Sequence, residues 1–128
     1  MGTRSLTFVY EGEKPIVNMY RQFDGYPSGH GAELAEFLNG GKLVNGLGNE
    51  TKVFNGMGCL AAQMVAHFKD GPGGFYLHAC NLKQDSWQEY EYHVHEDKVF
   101  ITEPQQTEVL FEGTWEDFAD FCKQGEEA

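Results

Sequence analysis

The spacing of apolar residues along the chain changes from a strand pattern to a helix pattern and back again. Residues 4–10 and 15–21 are rich in β-branched and aromatic side chains, which predicts two strands. The segment between them, Glu11-Gly12-Glu13, has the length and the glycine of a hairpin turn. We therefore expect the chain to open with an antiparallel pair of strands.

Two helices separated by a glycine-rich connection are predicted next. Residues 32–38 have the apolar spacing of a short amphipathic helix. Residues 40–58 are rich in glycine and asparagine, which predicts a long loop with a short extended piece at residues 52–54. A second helix is predicted over residues 56–69, because its apolar residues recur every three or four positions. These apolar residues are Met57, Leu60, Ala61, Met64, Val65 and Phe68.

The second half of the chain predicts a series of strands followed by a last helix. The predicted strands cover residues 74–81, 88–95, 98–102 and 107–112. Thr114 is expected to cap the final helix, and Asp117 completes a capping box. The sequence thus predicts one α+β domain over residues 1–128, with the element order ββααββββα. Its sheet is expected to be antiparallel and rich in meanders, with about three helices packed on one face.

The charge and the hydropathy of the chain exclude two classes of partner. The chain has 128 residues, of which 20 are acidic and 9 are basic, and its net charge is −11. Such a protein lacks the lysine- and arginine-rich surface that neutralises phosphates, so we expect no binding to nucleic acid. The sequence contains no run of about 18 apolar residues, so we expect no membrane span.

The cysteines indicate the compartment. Cys59, Cys80 and Cys122 show no C-x-x-C spacing, and the chain begins without an apolar signal core. We therefore expect three buried, reduced thiols and a cytoplasmic location. The sequence carries no complete nucleotide-binding or other cofactor motif, and no cofactor is expected.

The leading candidate for a site is the segment from Tyr20 to Gly31. It combines glycines, a proline and polar side chains between a predicted strand and a predicted helix. The only two arginines of the chain are expected at one end of the N-terminal hairpin, with Arg4 opposite Tyr20 or Arg21. Free N–H groups at the start of the next helix would add partial positive charge. The candidate ligand-binding residues are Arg4, Arg21, Asp24, Tyr26, Ser28 and His30.

Two interpretations of this segment remain open. In the first, the guanidinium groups bind a carboxylate or a phosphate, and Tyr26 stacks on a flat ligand. In the second, Asp24-Gly25 forms a turn, and an arginine forms an ion pair with Asp24 or another carboxylate inside the fold. Tyr26-Pro27 then covers the core. Both interpretations make the segment important, but only the first gives it a ligand.

A second candidate lies on the strand predicted at residues 88–95. His93 and His95 share one face of that strand with Glu91, and His78 is expected on a neighbouring strand. Two histidines spaced i, i+2 can share a metal ion when a third ligand converges on it. The alternative is a solvent-facing polar row opposite the buried tyrosines, which is common in half-buried antiparallel strands. We favour the alternative and expect no metal.

Thr3-Arg4 and the segment Tyr20–Pro27, which reads YRQFDGYP, carry a family resemblance. They resemble a family of small uncharacterised proteins of bacteria and their phages, which start with a similar Thr-Arg strand. That family carries a Tyr-x-x-Trp-Asp-Gly-Tyr-Pro loop, and Phe23 stands at the tryptophan position here. The resemblance covers about the first 30 residues. The family has no known activity, so the resemblance implies only that the loop is important.

The sequence favours a cytoplasmic α+β protein that binds a ligand and does not transform it. The ligand is expected to be a small anionic metabolite or a protein segment at the Tyr20–Gly31 loop. One alternative is a hydrolytic enzyme, either metal-assisted through His93 and His95 or using His30 as a general base near Asp24. Another is an acidic, phage-type interaction protein that acts on a host factor.

Overall fold

The computed structural model describes residues 2–44 and 53–127 of the chain and contains eight strands and three α-helices in this part. The strands are β1 (Ser5–Glu11), β2 (Lys14–Arg21), β3 (Lys42–Val44), β4 (Val53–Asn55), β5 (Phe75–His78), β6 (Tyr90–Val94), β7 (Val99–Thr102) and β8 (Val109–Gly113). The helices are α1 (Ala32–Asn39), α2 (Gly56–Phe68) and α3 (Trp115–Glu127). The α+β class is confirmed.

The six strands of the main sheet and the three helices follow the predicted order, and two further short strands lie between α1 and α2. The described chain follows ββαββαββββα, because β3 and β4 interrupt the loop predicted over residues 40–58. These two short strands pair in parallel as a separate sheet, with Leu43 opposite Phe54. Residues 45–52 of the predicted loop lie outside the described residues.

The main sheet has six strands in the order β5-β2-β1-β6-β7-β8. All its pairs are antiparallel except β1 with β6, so the sheet is mixed and mostly antiparallel. Strands β6, β7 and β8 form the expected meander, but β5 does not belong to it and pairs with β2. The reason is the connection over residues 79–89, which crosses the face of the sheet before β6 begins. A hairpin-length link would have kept β5 beside β6.

The helices pack on one face of the sheet and form the larger hydrophobic core with it. The centre of this core contains residues that are fully or almost fully buried, including Met19, Leu34, Leu60, Tyr92 and Phe118. The opposite face carries a smaller cluster of Leu6, Phe8 and Tyr10, against which Tyr20 and Leu82 pack. Since Leu82 belongs to the crossing segment, that segment covers the face that the helices leave open.

Two local predictions are confirmed in detail. The helix predicted over residues 56–69 is α2, and its apolar stripe faces the core. At the start of α3, the Asp117 amide donates to Thr114 Oγ1 at 3.1 Å, and the Thr114 amide faces Asp117 Oδ2 at 3.5 Å. This is the capping box that the sequence predicts. Both features depend on residues close in sequence, so no long-range information was needed to predict them.

The register of the N-terminal hairpin differs from the prediction by one residue. Ser5, and not Arg4, lies opposite Arg21. The turn begins at Gly12, whose φ of 64° favours glycine, and a bulge after Val9 shifts the pairing. Arg4 still lies at the same end of the hairpin as Arg21, as expected.

The expectation of three buried cysteines is wrong for two of them. Cys122 is buried, Cys59 is partly buried and Cys80 is exposed, and all three are free thiols. Burial raises the pKa of the Cys122 thiol to about 12. Cys80 is exposed because it lies in the crossing segment after β5.

Among the described helices, none combines the length and the apolar character needed to cross a lipid bilayer.

Candidate functional site

The loop after β2 is tied down by its own main chain. Residues Pro27–Gly31 form a π-helical turn that continues directly into α1. The Gly29 amide donates to the Tyr26 carbonyl at 2.9 Å, and the His30 amide donates to the Asp24 carbonyl at 2.7 Å. A Cβ atom on Gly29 would lie 2.5 Å from that same Asp24 carbonyl, so only glycine fits there.

These bonds correct the expectation of an anion site at the helix start. The amides of Gly29, His30, Gly31 and Ala32 all donate to carbonyl groups of the loop. The amide of Ala32, the first residue of α1, is therefore already used, and this residue continues the preceding turn. A carboxylate or phosphate does not meet a free helix end at this point.

Arg21 lies at the end of β2 and holds the loop to α1. Its Nε donates to the Phe23 carbonyl at 2.6 Å, and its Nη1 donates to the Glu33 carboxylate and, at 3.1 Å, to His30 Nδ1. The guanidinium carbon lies 5.0 Å from the centre of the Phe75 ring. Arg21 thus forms an ion pair inside the fold, as the second interpretation of the loop requires, but its partner is Glu33 and not Asp24.

His30 is fully buried and its two ring nitrogens both have partners. Because a guanidinium only donates, Nδ1 accepts from Arg21, and Nε2 therefore carries the hydrogen and donates to Thr7 Oγ1 at 2.7 Å. Burial, and then the positive charge of Arg21, lower the pKa of His30 to about 3. His30 is a neutral structural bridge between β1 and Arg21.

The six candidate residues do not converge on one point. Arg21 and His30 are in contact, and the Tyr26 hydroxyl lies 3.5 Å from Asp24 Oδ1 on the outer side of the loop. Ser28 faces a different cleft, of about 770 Å³, between α1 and α3. The Arg4 side chain forms no hydrogen bond or ion pair with a described residue. Of the six, only Arg21 borders the open cleft between α1, α2 and the ends of β2 and β5.

That cleft, which we call the aromatic cleft, has a volume of about 890 Å³ and opens between α1, α2 and the ends of β2 and β5. Its rings form a nearly continuous row: the centre of Phe37 lies 5.1 Å from Phe54 and 6.2 Å from Phe68, and Phe68 lies 5.5 Å from Phe75. The remaining described lining residues are Arg21, Glu33, Glu36, Gly40, Gly41, Gln63, Ala66 and His67.

Sequence reasoning missed this cleft. Its four phenylalanines come from α1, β4, α2 and β5, which are far apart in the chain. Phe68 belongs to the predicted stripe of α2, and that stripe was assigned to the core. The available signal was the abundance of phenylalanine, with 10 in the chain, but composition does not say which rings meet.

The polar row on β6 is buried, which corrects the expectation that it faces solvent. Glu91 and His93 are almost inaccessible, and they lie on the sheet face that the crossing segment covers. Glu91 accepts from Gln88 Nε2 at 2.9 Å, from the Gln105 amide at 2.9 Å and from Gln106 Nε2 at 2.5 Å. Burial alone would raise the pKa of Glu91, but hydrogen bonds from His93 and these glutamines lower it below its usual value.

A chain of side-chain contacts extends from Glu91 to the edge of this face. The Thr102 hydroxyl donates to Glu91 at 3.3 Å and lies 2.9 Å from His93 Nε2, while His93 Nδ1 contacts the Tyr10 hydroxyl at 2.7 Å. The ring of His95 stacks on Tyr10 at 4.2 Å. His93 and His95 therefore contact aromatic and hydroxyl groups.

The described residues contain no group of three or more histidine, cysteine, aspartate or glutamate side chains arranged to hold a metal ion. His78, the proposed third ligand, lies on β5 and not on a strand next to β6. Its Nδ1 contacts Ser86 Oγ at 3.0 Å, and its ring stacks on Tyr20. His78 therefore lies apart from His93 and His95, which share Tyr10 as a contact.

No protein-family model, curated protein or solved structure matches this chain. The resemblance of its first 30 residues to bacterial and phage proteins therefore stays a prediction.

Proposed function

We propose that this protein binds a small organic molecule with a flat apolar body in the aromatic cleft. The observation that carries the proposal is one open cleft of about 890 Å³ in which the partly exposed rings of Phe37 and Phe75 adjoin the buried rings of Phe54 and Phe68. Ligand sites typically have volumes of about 300–1,000 Å³, a mostly apolar lining and a few polar groups that orient the ligand. Here the polar groups are Arg21, Glu33, Glu36 and Gln63 at the edge of the cleft.

In this proposal, the Tyr20–Gly31 loop supports the site from behind. It fixes Arg21 through Phe23 and His30, and Arg21 in turn lies over Phe75 at one end of the cleft. The expected anionic ligand remains an alternative for the same cleft, with its carboxylate competing with Glu33 for the guanidinium. A general-base role for His30 has little support, since both of its nitrogens are occupied and its ring is buried.

We also propose a cytoplasmic location. Three free thiols, one of them exposed, are typical of a reducing compartment.

The test uses a substitution that fills the cleft without disturbing the core. Ala66 lies on the exposed side of α2 and lines the cleft, and Ala62 is exposed one turn earlier on the same helix without lining it. Binding of the uncharged probe naphthylethanol is measured by fluorescence titration. We expect Ala66→Trp to weaken binding by about tenfold or more through lost apolar burial, and Ala62→Trp to leave it unchanged. Absence of saturable binding to the wild-type protein, or equal affinities in both variants, would contradict the proposal.

A further inference from the structure

We infer that the ligand of the aromatic cleft carries a positive charge, an inference that rests on the function proposed above. The described lining of the cleft contains three groups that are charged at pH 7: Arg21, Glu33 and Glu36. Arg21 and Glu33 form an ion pair and compensate each other. Glu36 is exposed, and its carboxylate forms no hydrogen bond or ion pair with a described residue. The described lining therefore has a net negative charge, located on Glu36.

The rings of the cleft favour the same sign of charge. The face of an aromatic ring carries negative electrostatic potential and attracts ammonium and guanidinium groups. The protein already uses this attraction twice, with Arg21 over Phe75 at 5.0 Å and the Lys69 ammonium over Tyr76 at 5.3 Å. A ligand ammonium placed between Phe37 and the Glu36 carboxylate would combine a ring face with an ion pair.

Arg21 does not reverse this preference. Its side chain is only 12% exposed, and its Nε and Nη1 donors are engaged by groups of the protein. An anionic ligand would meet a guanidinium whose charge Glu33 already compensates, and its own negative charge would lie near the Glu36 carboxylate. It would also approach a protein of net charge −11, which repels anions and attracts cations.

The experiment compares three probes that share one ring system: naphthylethylamine, naphthylethanol and naphthylacetate, which are cationic, neutral and anionic at pH 7. We expect the amine to bind about fivefold tighter than the alcohol, because an exposed ion pair contributes a factor of that order, and the acetate to bind weakest. Raising the ionic strength should reduce the advantage of the amine without changing the affinity of the alcohol.

Two variants separate the local charge from the overall charge. Glu36→Gln should bring the affinity of the amine down to that of the alcohol. Glu13→Gln makes the same change in net charge at the exposed tip of the N-terminal hairpin, and we expect it to keep the preference.

The alternative outcomes are distinct. Equal affinities for amine and alcohol, or a preference that survives Glu36→Gln, would overturn the charge inference and leave the proposed function standing. Tightest binding of the acetate, lost in Arg21→Lys, would also overturn it and identify an anion site. Failure of all three probes to bind would overturn both this inference and the proposed function.

Discussion

Replacing Glu91 by glutamine is expected to destabilise the protein strongly. Glu91 is fully buried and accepts hydrogen bonds from Gln88, Gln105, Gln106 and Thr102. Every one of these partners donates, and glutamine replaces one accepting oxygen with a donating amide group. The variant therefore loses the bonds on one side of the carboxylate and places two donors against each other.

The size of this effect follows from the number of bonds lost. A hydrogen bond to a charged group contributes about 1.5–3 kcal/mol, and about two of them are lost on the side that becomes an amide. We therefore expect the free energy of unfolding to fall by about 3–5 kcal/mol, and the melting temperature to fall by about 12–20 °C. This is a large part of the total stability of a domain, which is about 5–15 kcal/mol.

The segment over Glu91 should loosen as well. Gln105 and Gln106 have φ values of 55° and 57°, a left-handed conformation that is costly for residues other than glycine. Their bonds to Glu91 offset this cost. In the Glu91→Gln variant we expect faster amide hydrogen exchange in residues 103–107, which urea denaturation alone would not reveal.

The assay is equilibrium urea denaturation at pH 7, followed by circular dichroism. The matched control is Glu89→Gln, an exposed carboxylate two residues earlier, which should change the stability by less than about 0.5 kcal/mol. A free energy of unfolding for Glu91→Gln within about 1 kcal/mol of the wild-type value would show that the carboxylate does not organise this face.

Acid should destabilise the protein through His30, whose pKa is about 3 in the folded state against 6.5 for a free histidine. The unfolded chain binds the extra proton below pH 6.5, so stability is lost as the pH falls from there, by about 1.4 kcal/mol per pH unit. Urea denaturation between pH 6 and pH 4.5 gives the slope of the free energy of unfolding against pH. We expect this slope to be smaller by this amount in His30→Gln than in the wild-type protein. Equal slopes would show that His30 does not have this lowered pKa. Arg21→Lys should cost about 1–3 kcal/mol because a lysine cannot keep the contacts to the Phe23 carbonyl, His30 and Glu33 together, and an unchanged melting temperature would show that these contacts are not structural. Gly29→Ala should cost about 1–3 kcal/mol by steric conflict with the loop carbonyl, whereas Gly58→Ala, in an open position of α2, should stabilise the protein by about 0.5–1 kcal/mol. A higher melting temperature for Gly29→Ala than for Gly58→Ala would contradict the backbone described at these two positions.

The features that sequence analysis predicted correctly are those that depend on neighbours in the chain. The stripe of α2 and the capping box of Thr114 and Asp117 are set by residues within a few positions of each other. The predicted strand register at Arg21 is wrong by one residue, because a bulge after Val9 has no clear signature in the residue pattern. Local patterns therefore give the elements more reliably than their pairing.

The candidate site was only partly predictable because its parts come from distant elements. Arg21 and His30 were found through the composition of their loop, but their mutual contact and the burial of His30 depend on where α1 packs. Glu91 and His93 alternate with apolar residues as a solvent-facing row would, and they are buried because residues 79–89 and 104–106 pack over this face. The aromatic cleft requires four elements to meet, and no segment of the chain contains that information by itself.

The proposed ligand site is tested most directly by locating bound naphthylethanol through amide chemical-shift changes in the ¹⁵N-labelled protein. We predict saturable shifts at the described backbone around the aromatic cleft, in Gly40, Gly41, Ala66 and His67, and their loss in Ala66→Trp but not in Ala62→Trp. Shifts confined to the exposed apolar residues of the edge strands, such as Leu77 and Val109, or shifts that survive Ala66→Trp, would contradict the proposal that the aromatic cleft is the ligand site.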